Sequence, residues 1–328
     1  MFFFTIRRLL SSILVLLASS MLVFALCVAS FDPLSAYRQR QPPPPPQFFE
    51  ALTEQLSLDQ PFFVRYFTWL KGVVTLDFGV SNAGTPVGPV LIERLGITAR
   101  MVVAAIVLAI LLAIVVGVLT AVRQYKPEDY FFTFLTYVLI ALPTFWFAAL
   151  LKEFVAIQFN DLVGQRILFT LGEQSPAIEL TGTGSEIFWD RVGHLVLPTI
   201  SLAMLSFAAW SRFQRASLLD VLGSDYMRLA RAKGLPYRSA LLRHGLRNAL
   251  IPLTTVVALG VGSLLGGAVI TETVFVWHGM GEYLIMSINA DDLNPVLGWM
   301  MIAAFFVIAF NLIADLLYAV LDPRIRLS

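Results

Sequence analysis

The sequence predicts an all-α polytopic membrane protein with six transmembrane helices and both termini cytoplasmic. Composition points to the class. Hydrophobic residues make up 58% of the 328 and charged residues 14%, with a mean hydropathy of +0.77. A soluble fold needs more charge than this to cover its surface. The apolar residues also gather into continuous runs near the length of about 20 residues that crosses a bilayer. Within hydrocarbon each run must satisfy its own backbone, so each is a helix, and continuous rather than alternating runs exclude barrel strands. The basic residues set the orientation. Arg7, Arg8, Arg123, Lys126, Arg212, Arg215, Arg228, Arg231, Lys233, Arg238, Arg243, Arg247, Arg324 and Arg326 all fall on one side of such a six-span arrangement, while the short segment 277–295 on the other side holds no Lys or Arg.

The expected spans are 9–30, 98–122, 131–157, 194–211, 249–276 and 296–321. The first follows Arg7 and Arg8 as a signal peptide would, but its apolar run exceeds the usual 7–15 residues of a signal core, so it reads as a retained helix. The single cysteine, Cys27, lies within it and reads as a small packing residue. The first extracytoplasmic segment, 31–97, opens with five prolines, Pro42 to Pro46, expected as a stiff polyproline II rod. Beyond it, Phe48, Phe49, Leu52 and Leu56, then Phe62, Phe63, Tyr66, Trp69 and Leu70, recur at helical spacing. They suit interfacial helices or helices packed on the bundle. A second extracytoplasmic segment, 158–193, reads as an ordered loop. The whole chain, 1–328, reads as a single transmembrane domain.

The most informative stretch is the cytoplasmic loop 212–250. Ser224 or Asp225 is placed to cap a helix running through Arg228, Ala230, Arg231, Ala232 and Lys233. Gly234 stops that helix, and Pro236, after Leu235, restarts a second one carrying Arg238. Contact with anionic lipid explains the charge. It does not explain the glycine and proline punctuation or the small alanine face, which suit docking into a groove on another protein.

This stretch resembles the coupling loop of permease subunits of binding-protein-dependent ABC importers, in the form carried by the oligopeptide and dipeptide branch. The resemblance covers nearly the whole chain. Leu76-Asp77-Phe78-Gly79-Val80-Ser81, Pro86 through Leu95, Leu142-Pro143-Thr144-Phe145-Trp146 and His194-Leu195-Val196-Leu197-Pro198-Thr199 look like successive family elements. So do Thr271-Glu272-Thr273-Val274-Phe275 with Gly279-Met280-Gly281, and the ending Asp315 to Arg326. Arg228-Leu229-Ala230 stands where the broad loop pattern has Glu-Ala-Ala, with His244 and Arg247 as further departures that the oligopeptide branch shares.

The resemblance implies the type I ABC importer permease fold. It also implies partners: a homologous second permease, separate ATP-binding cassette subunits that hold ATP and Mg, and an extracytoplasmic substrate-binding protein. Asp225, Arg228, Ala230, Arg231, Ala232, Lys233, Gly234, Leu235 and Arg238 become the ATPase-coupling residues. Glu272, an ionisable residue inside an apolar run, is a candidate for the translocation path, and Asp315 is a weaker one. Asp77, Glu282, Asp291 and Asp292 are candidate binding-protein contacts, the last three forming an acidic rim on 277–295. The chain has no Gly-Lys dipeptide and so no phosphate-binding loop. His194, His244 and His278 lack metal-ligand spacing, so no catalytic or metal residue is assigned. A net charge of +1 gives no reason to expect nucleic acid, and membrane lipid is the remaining partner. Import of another solute of the same branch, such as a nickel chelate, and a self-contained secondary transporter are the alternatives.

Overall fold

The computed structural model describes residues 2–38, 41, 42 and 44–321. Pro43 of the proline tract and the ending Asp322 to Arg326, with Arg324 and Arg326, lie outside the described residues. Among those described, the elements are helices, with one isolated β-bridge between Val80 and Pro86. Five helices are long and apolar enough to cross a membrane, or six if one sharply bent pair forms a single span.

The spans extend beyond their apolar runs. The first helix is Phe2–Ser30 and the second Val87–Val122. The fourth runs over Gly184–Leu222, 39 residues, or about 58 Å at 1.5 Å per residue. It takes in the end of the expected outer loop and the first eleven residues of the expected cytoplasmic one. Its start is set by Thr183, whose N–H donates to Glu186 at 2.8 Å, a reciprocal arrangement that satisfies an orphan donor. The sixth is Leu293–Leu321.

The third apolar run departs from expectation. It is not one helix but two, Pro127–Ala141 and Thr144–Val163, meeting at 111°. Leu142 is extended, with ψ 130°, ahead of Pro143. The ring of a proline disfavours the helical region for the residue before it, so Leu142-Pro143 breaks the run. Leu151–Ile157 within the second arm is a π-helix. The proline tract also differs: Pro45 keeps polyproline geometry, φ −66° and ψ 154°, but Pro46 opens the helix Pro46–Gln55, because a proline fits the first helical turn.

Two compact units emerge. In the one formed mainly by Ala99–Trp277, Met101, Ala105, Ala109 and Ala113 make a fully buried stripe. Their spacing of four keeps one face of the helix smooth. The small side chains let Leu202, Ala203, Phe207 and Trp210 of Gly184–Leu222 approach, with Leu253, Leu264 and Ala268 completing the core. Val103, Val107, Leu111 and Val115 face outward on the same helix, as a lipid-facing stripe does. In the other unit, Ile6–Thr98 with His278–Ile308, Phe24, Cys27 and Tyr66 pack with Leu284, Leu293, Val296 and Leu297. Cys27 is thus the packing residue its position suggested.

Candidate functional site

The basic stretch forms one short helix and the start of a long one. Gly184–Leu222 ends, Ser224 turns extended (φ −75°, ψ 155°), and Asp225–Ala232 follows. Ser224 does not cap it through its side chain; its hydroxyl donates back to the Val221 carbonyl at 2.5 Å. The far end closes in a Schellman turn. The Leu235 N–H donates to the Ala230 carbonyl at 3.3 Å and the Gly234 N–H to the Arg231 carbonyl at 2.9 Å. Gly234 has φ +83°, and a Cβ there would meet nothing within 4 Å. Backbone conformation, not space, therefore calls for glycine. Pro236 then opens Tyr237–Ala240. That turn is not an independent helix, as expected from the sequence, but runs through a π-turn, Leu241–Leu246, into Arg247–Phe275. Ser217 binds the Ala249 carbonyl at 3.0 Å and fixes the base of this arrangement.

The short helix has two faces. Met227 and Ala230 are buried against Ala240, Leu235, Val221 and Leu222. Ala230, expected on a docking face, instead packs inside its own chain, because the returning helix needs a small residue there. The free face carries Tyr226 and Leu229, the latter 56% exposed, beside exposed Asp225, Arg228, Arg231, Ala232, Lys233, Gly234 and Arg238. Arg228 lies 3.5 Å from Asp225 and donates to the Gly223 carbonyl at 3.1 Å. Arg231 sits over the Tyr237 ring at 5.8 Å. A groove lined by Leu222, Met227, Arg228, Arg231 and Tyr237 opens beside them. The result is an apolar stripe rimmed by guanidinium groups.

One buried acid was not expected from the sequence. Asp129, in the first turn of Pro127–Ala141, is buried. It accepts two hydrogen bonds from Arg215, both 2.9 Å, one from the Tyr125 N–H at 3.0 Å and one from Thr133 at 3.3 Å. In the sequence Arg215 stands out as a topology charge, not as half of a buried pair. The signal for its partner was an acid just inside a helix that opens Lys126-Pro127, where the helix dipole favours a carboxylate.

The other candidates are placed as follows. Glu272 is fully buried near the end of Arg247–Phe275. Close to it, Lys152 of the π-helix donates to the Val274 carbonyl at 2.9 Å and lies over the Phe275 ring, a cation on a helix C-terminus. Asp77 is exposed and accepts the Gly79 N–H at 3.0 Å. His194 is buried, stacked on Phe169 at 4.0 Å and bonded to the Asp190 carbonyl, a structural role.

The acidic rim expected on 277–295 is not an open charged edge. Most of that segment is the helix Met280–Asn289. Glu282 accepts from Arg94 at 3.0 Å and faces His278 at 2.9 Å. Asp291 accepts from Ser35 at 3.2 Å. Asp292 is 8% exposed and accepts the Asn82 N–H at 2.8 Å. These carboxylates hold neighbouring segments together, which sequence spacing could not show.

Burial pushes the Asp292 carboxyl up to about 6 from 3.8, with the Asn82 N–H pulling the other way. The neighbouring Tyr283 phenol is raised in turn, by burial and by Asp292, against Arg94. A carboxyl raised by folding favours the protonated native state, so its stabilising contribution is present below about pH 4 and is lost as pH rises through about 6. Asp292→Asn keeps an oxygen for the Asn82 N–H and removes the charge. The variant is expected to unfold at a higher temperature than the parent at pH 7.5, with the gap narrowing at pH 5 and closing below about pH 4. A variant that is less stable at pH 7.5 would show that the charge itself is needed.

Fold and site define a polytopic helical membrane protein with an exposed, basic, glycine-closed helix between two of its spans. The chain belongs to the family described as binding-protein-dependent transport system inner membrane component, whose pattern matches residues 113–327; the corresponding N-terminal family matches residues 1–94. It is similar to the oligopeptide transport system permease protein OppB of Mycobacterium tuberculosis, 40% identical over 98% of each chain. It is also similar to the oligopeptide transport system permease protein AppB of Bacillus subtilis, 37% identical over 98% of this chain and 99% of that one. The dipeptide transport system permease protein DppB of Escherichia coli is 35% identical over 84% of each. The chain is thus an ABC-type permease subunit of the type I fold and a multi-pass plasma-membrane protein.

Proposed function

We propose that this chain is the permease subunit of an ATP-driven peptide importer. It forms the translocation path with a homologous second permease and takes its work from separate ATP-binding cassette subunits, which hold ATP and Mg. The observation that carries the reading is the free face of Asp225–Ala232, an apolar stripe of Tyr226 and Leu229 between Arg228, Arg231 and Lys233. Peptide as the cargo is supported by the oligopeptide and dipeptide permeases that the chain resembles over most of its length. Closure of the ATPase subunits would move the docked loops as rigid bodies and switch the path between its two openings. An extracytoplasmic binding protein delivers the peptide; exposed Asp77 and partly exposed Asp291 remain candidate contacts, whereas Glu282 and Asp292 are engaged within the chain.

Copurification tests the assembly: a tagged chain should bring down an ATPase and a second permease, and the reconstituted set should take up labelled oligopeptide only with ATP. Uptake on an ion gradient alone would overturn it.

In this reading 1–328 acts as one permease domain with both termini cytoplasmic. Single cysteines in place of Gln41, Glu179 and Asn289 should react with an impermeant maleimide in intact cells, and those in place of Glu128 and Ala232 only after permeabilisation. The reverse pattern at any of them would refute the orientation.

A further inference from the structure

The geometry points to Phe62–Val74 as a helix embedded in the bilayer leaflet reached by the C-terminal half of Phe2–Ser30, with its free face covered by phospholipid acyl chains. Length and aromatic content alone place this helix in an extracytoplasmic segment, but its contacts put it lower. Tyr66 is buried, and its hydroxyl meets Ser20 at 2.9 Å and the Leu17 carbonyl at 3.3 Å. Phe24 packs its ring on Phe62, Tyr66 and Trp69 at 5.7, 5.6 and 5.4 Å. Leu17 and Ser20 lie within the first span, roughly 15–20 Å along the helix from its end at Ser30. The hydrocarbon core is about 30 Å thick. The Tyr66 hydroxyl is therefore held well inside it, satisfied by a serine and a carbonyl.

The face turned away from the span is largely apolar, with Thr68 and Lys71 as its polar members. Phe63 is 58% exposed, Phe67 62% and Val74 80%, with Val64 beside them at 49%. Phe63, Phe67 and Val74 fall at i, i+4 and i+11 on one stripe of the helix, with exposed Lys71 among them at i+8. Leu14, Leu22 and Leu26 of the first helix are apolar and exposed too; Leu22 and Leu26 lie on the side of that helix away from Phe24, so the span that holds Tyr66 itself presents a lipid-facing surface at this depth. The helix holds no acidic residue, and its two cations, Arg65 and Lys71, have stems long enough to carry their charges to the headgroups. Aromatic residues on both the packed and the free face, with charges that are only basic, suit a helix seated in one leaflet with its cations near the headgroups.

The test uses the permease within its complex in nanodiscs, in a Cys27→Ala background. A fluorescent label is placed at Phe67→Cys, and at Glu50→Cys, an exposed polar position on Pro46–Gln55. Coupled ATPase activity confirms that each labelled complex is intact. A lipid carrying a nitroxide on its acyl chain should quench the label at 67 severalfold more than at 50, and iodide should do the reverse. Iodide quenching at 67 equal to that at 50 would overturn the proposal. Protection of position 67 that appears only when the substrate-binding protein is added would also overturn it, assigning the face to that protein instead.

Discussion

Leu229→Asp is expected to abolish substrate-stimulated ATP hydrolysis in the reconstituted complex while leaving the permease folded in the membrane. Leu229 is 56% exposed on the free face of Asp225–Ala232, so the change costs the isolated chain little, as surface substitutions do. In a docked state the new carboxylate would sit unpaired against an apolar groove, where burial of a charge is costly. Gly234→Pro should have the same outcome by another route. Proline lacks the N–H that donates to Arg231 and cannot adopt φ +83°, so the Schellman turn is lost and the helix points elsewhere. Gly234→Ala calibrates it. The position has room for a methyl group, so the cost is the left-handed conformation alone, about 1–2 kcal/mol, and activity should fall only in part. Ala230→Asp would not report on docking, since Ala230 is buried against Met227 and Ala240 and the loop itself would come apart. Coupled hydrolysis that survives Leu229→Asp, measured with the ATPase subunits still copurifying, would show that this face is not where they dock.

What sequence could and could not show follows from the range of the interactions involved. Apolar runs and basic residues are local signals, and they located the spans. The glycine at 234 and the proline at 236 act through their own backbones, so the end of the short helix was legible to the residue. The kink at Leu142-Pro143 was legible in the same way, through the conformational limit that proline sets on its predecessor, yet the length of the apolar run masked it. Partners brought together across long stretches of chain were not legible. Asp292 and Asn82 are 210 residues apart, and an Asp-Asp pair in a short loop reads as surface until its hydrogen-bond donor is seen. Ala230 is the same case on a smaller scale. Alanine suits a tight contact with either a foreign groove or a returning helix, and only the position of Ala240 decides between them.

Asp129→Ala should lower the stability of the permease by about 3 kcal/mol, the loss typical when one partner of a buried ion pair is removed. The Asp129 side chain is 5% exposed and that of Arg215 28%. The pair is a two-pronged guanidinium–carboxylate contact, which is among the stronger charge-assisted arrangements. Asp129 also accepts from the Tyr125 N–H just ahead of its helix and from Thr133, so the alanine variant leaves four donors short of a partner. Arg215→Leu should lose a similar amount, and the double variant no more than either alone, because both changes remove one interaction. Losses that simply add in chemical denaturation of the purified protein in micelles would show that the two side chains do not act as a unit. The pair also bears on coupling. Arg215 is seven residues from the end of Gly184–Leu222, and that end leads through Gly223 and Ser224 into Asp225–Ala232. The bent third span is therefore tied to the helix that aims the basic loop. Asp129→Asn keeps the shape and one acceptor oxygen but removes the charge, so it should lose less stability than Asp129→Ala while reducing peptide-stimulated ATP hydrolysis. A full rate in Asp129→Asn would confine the pair to a structural role.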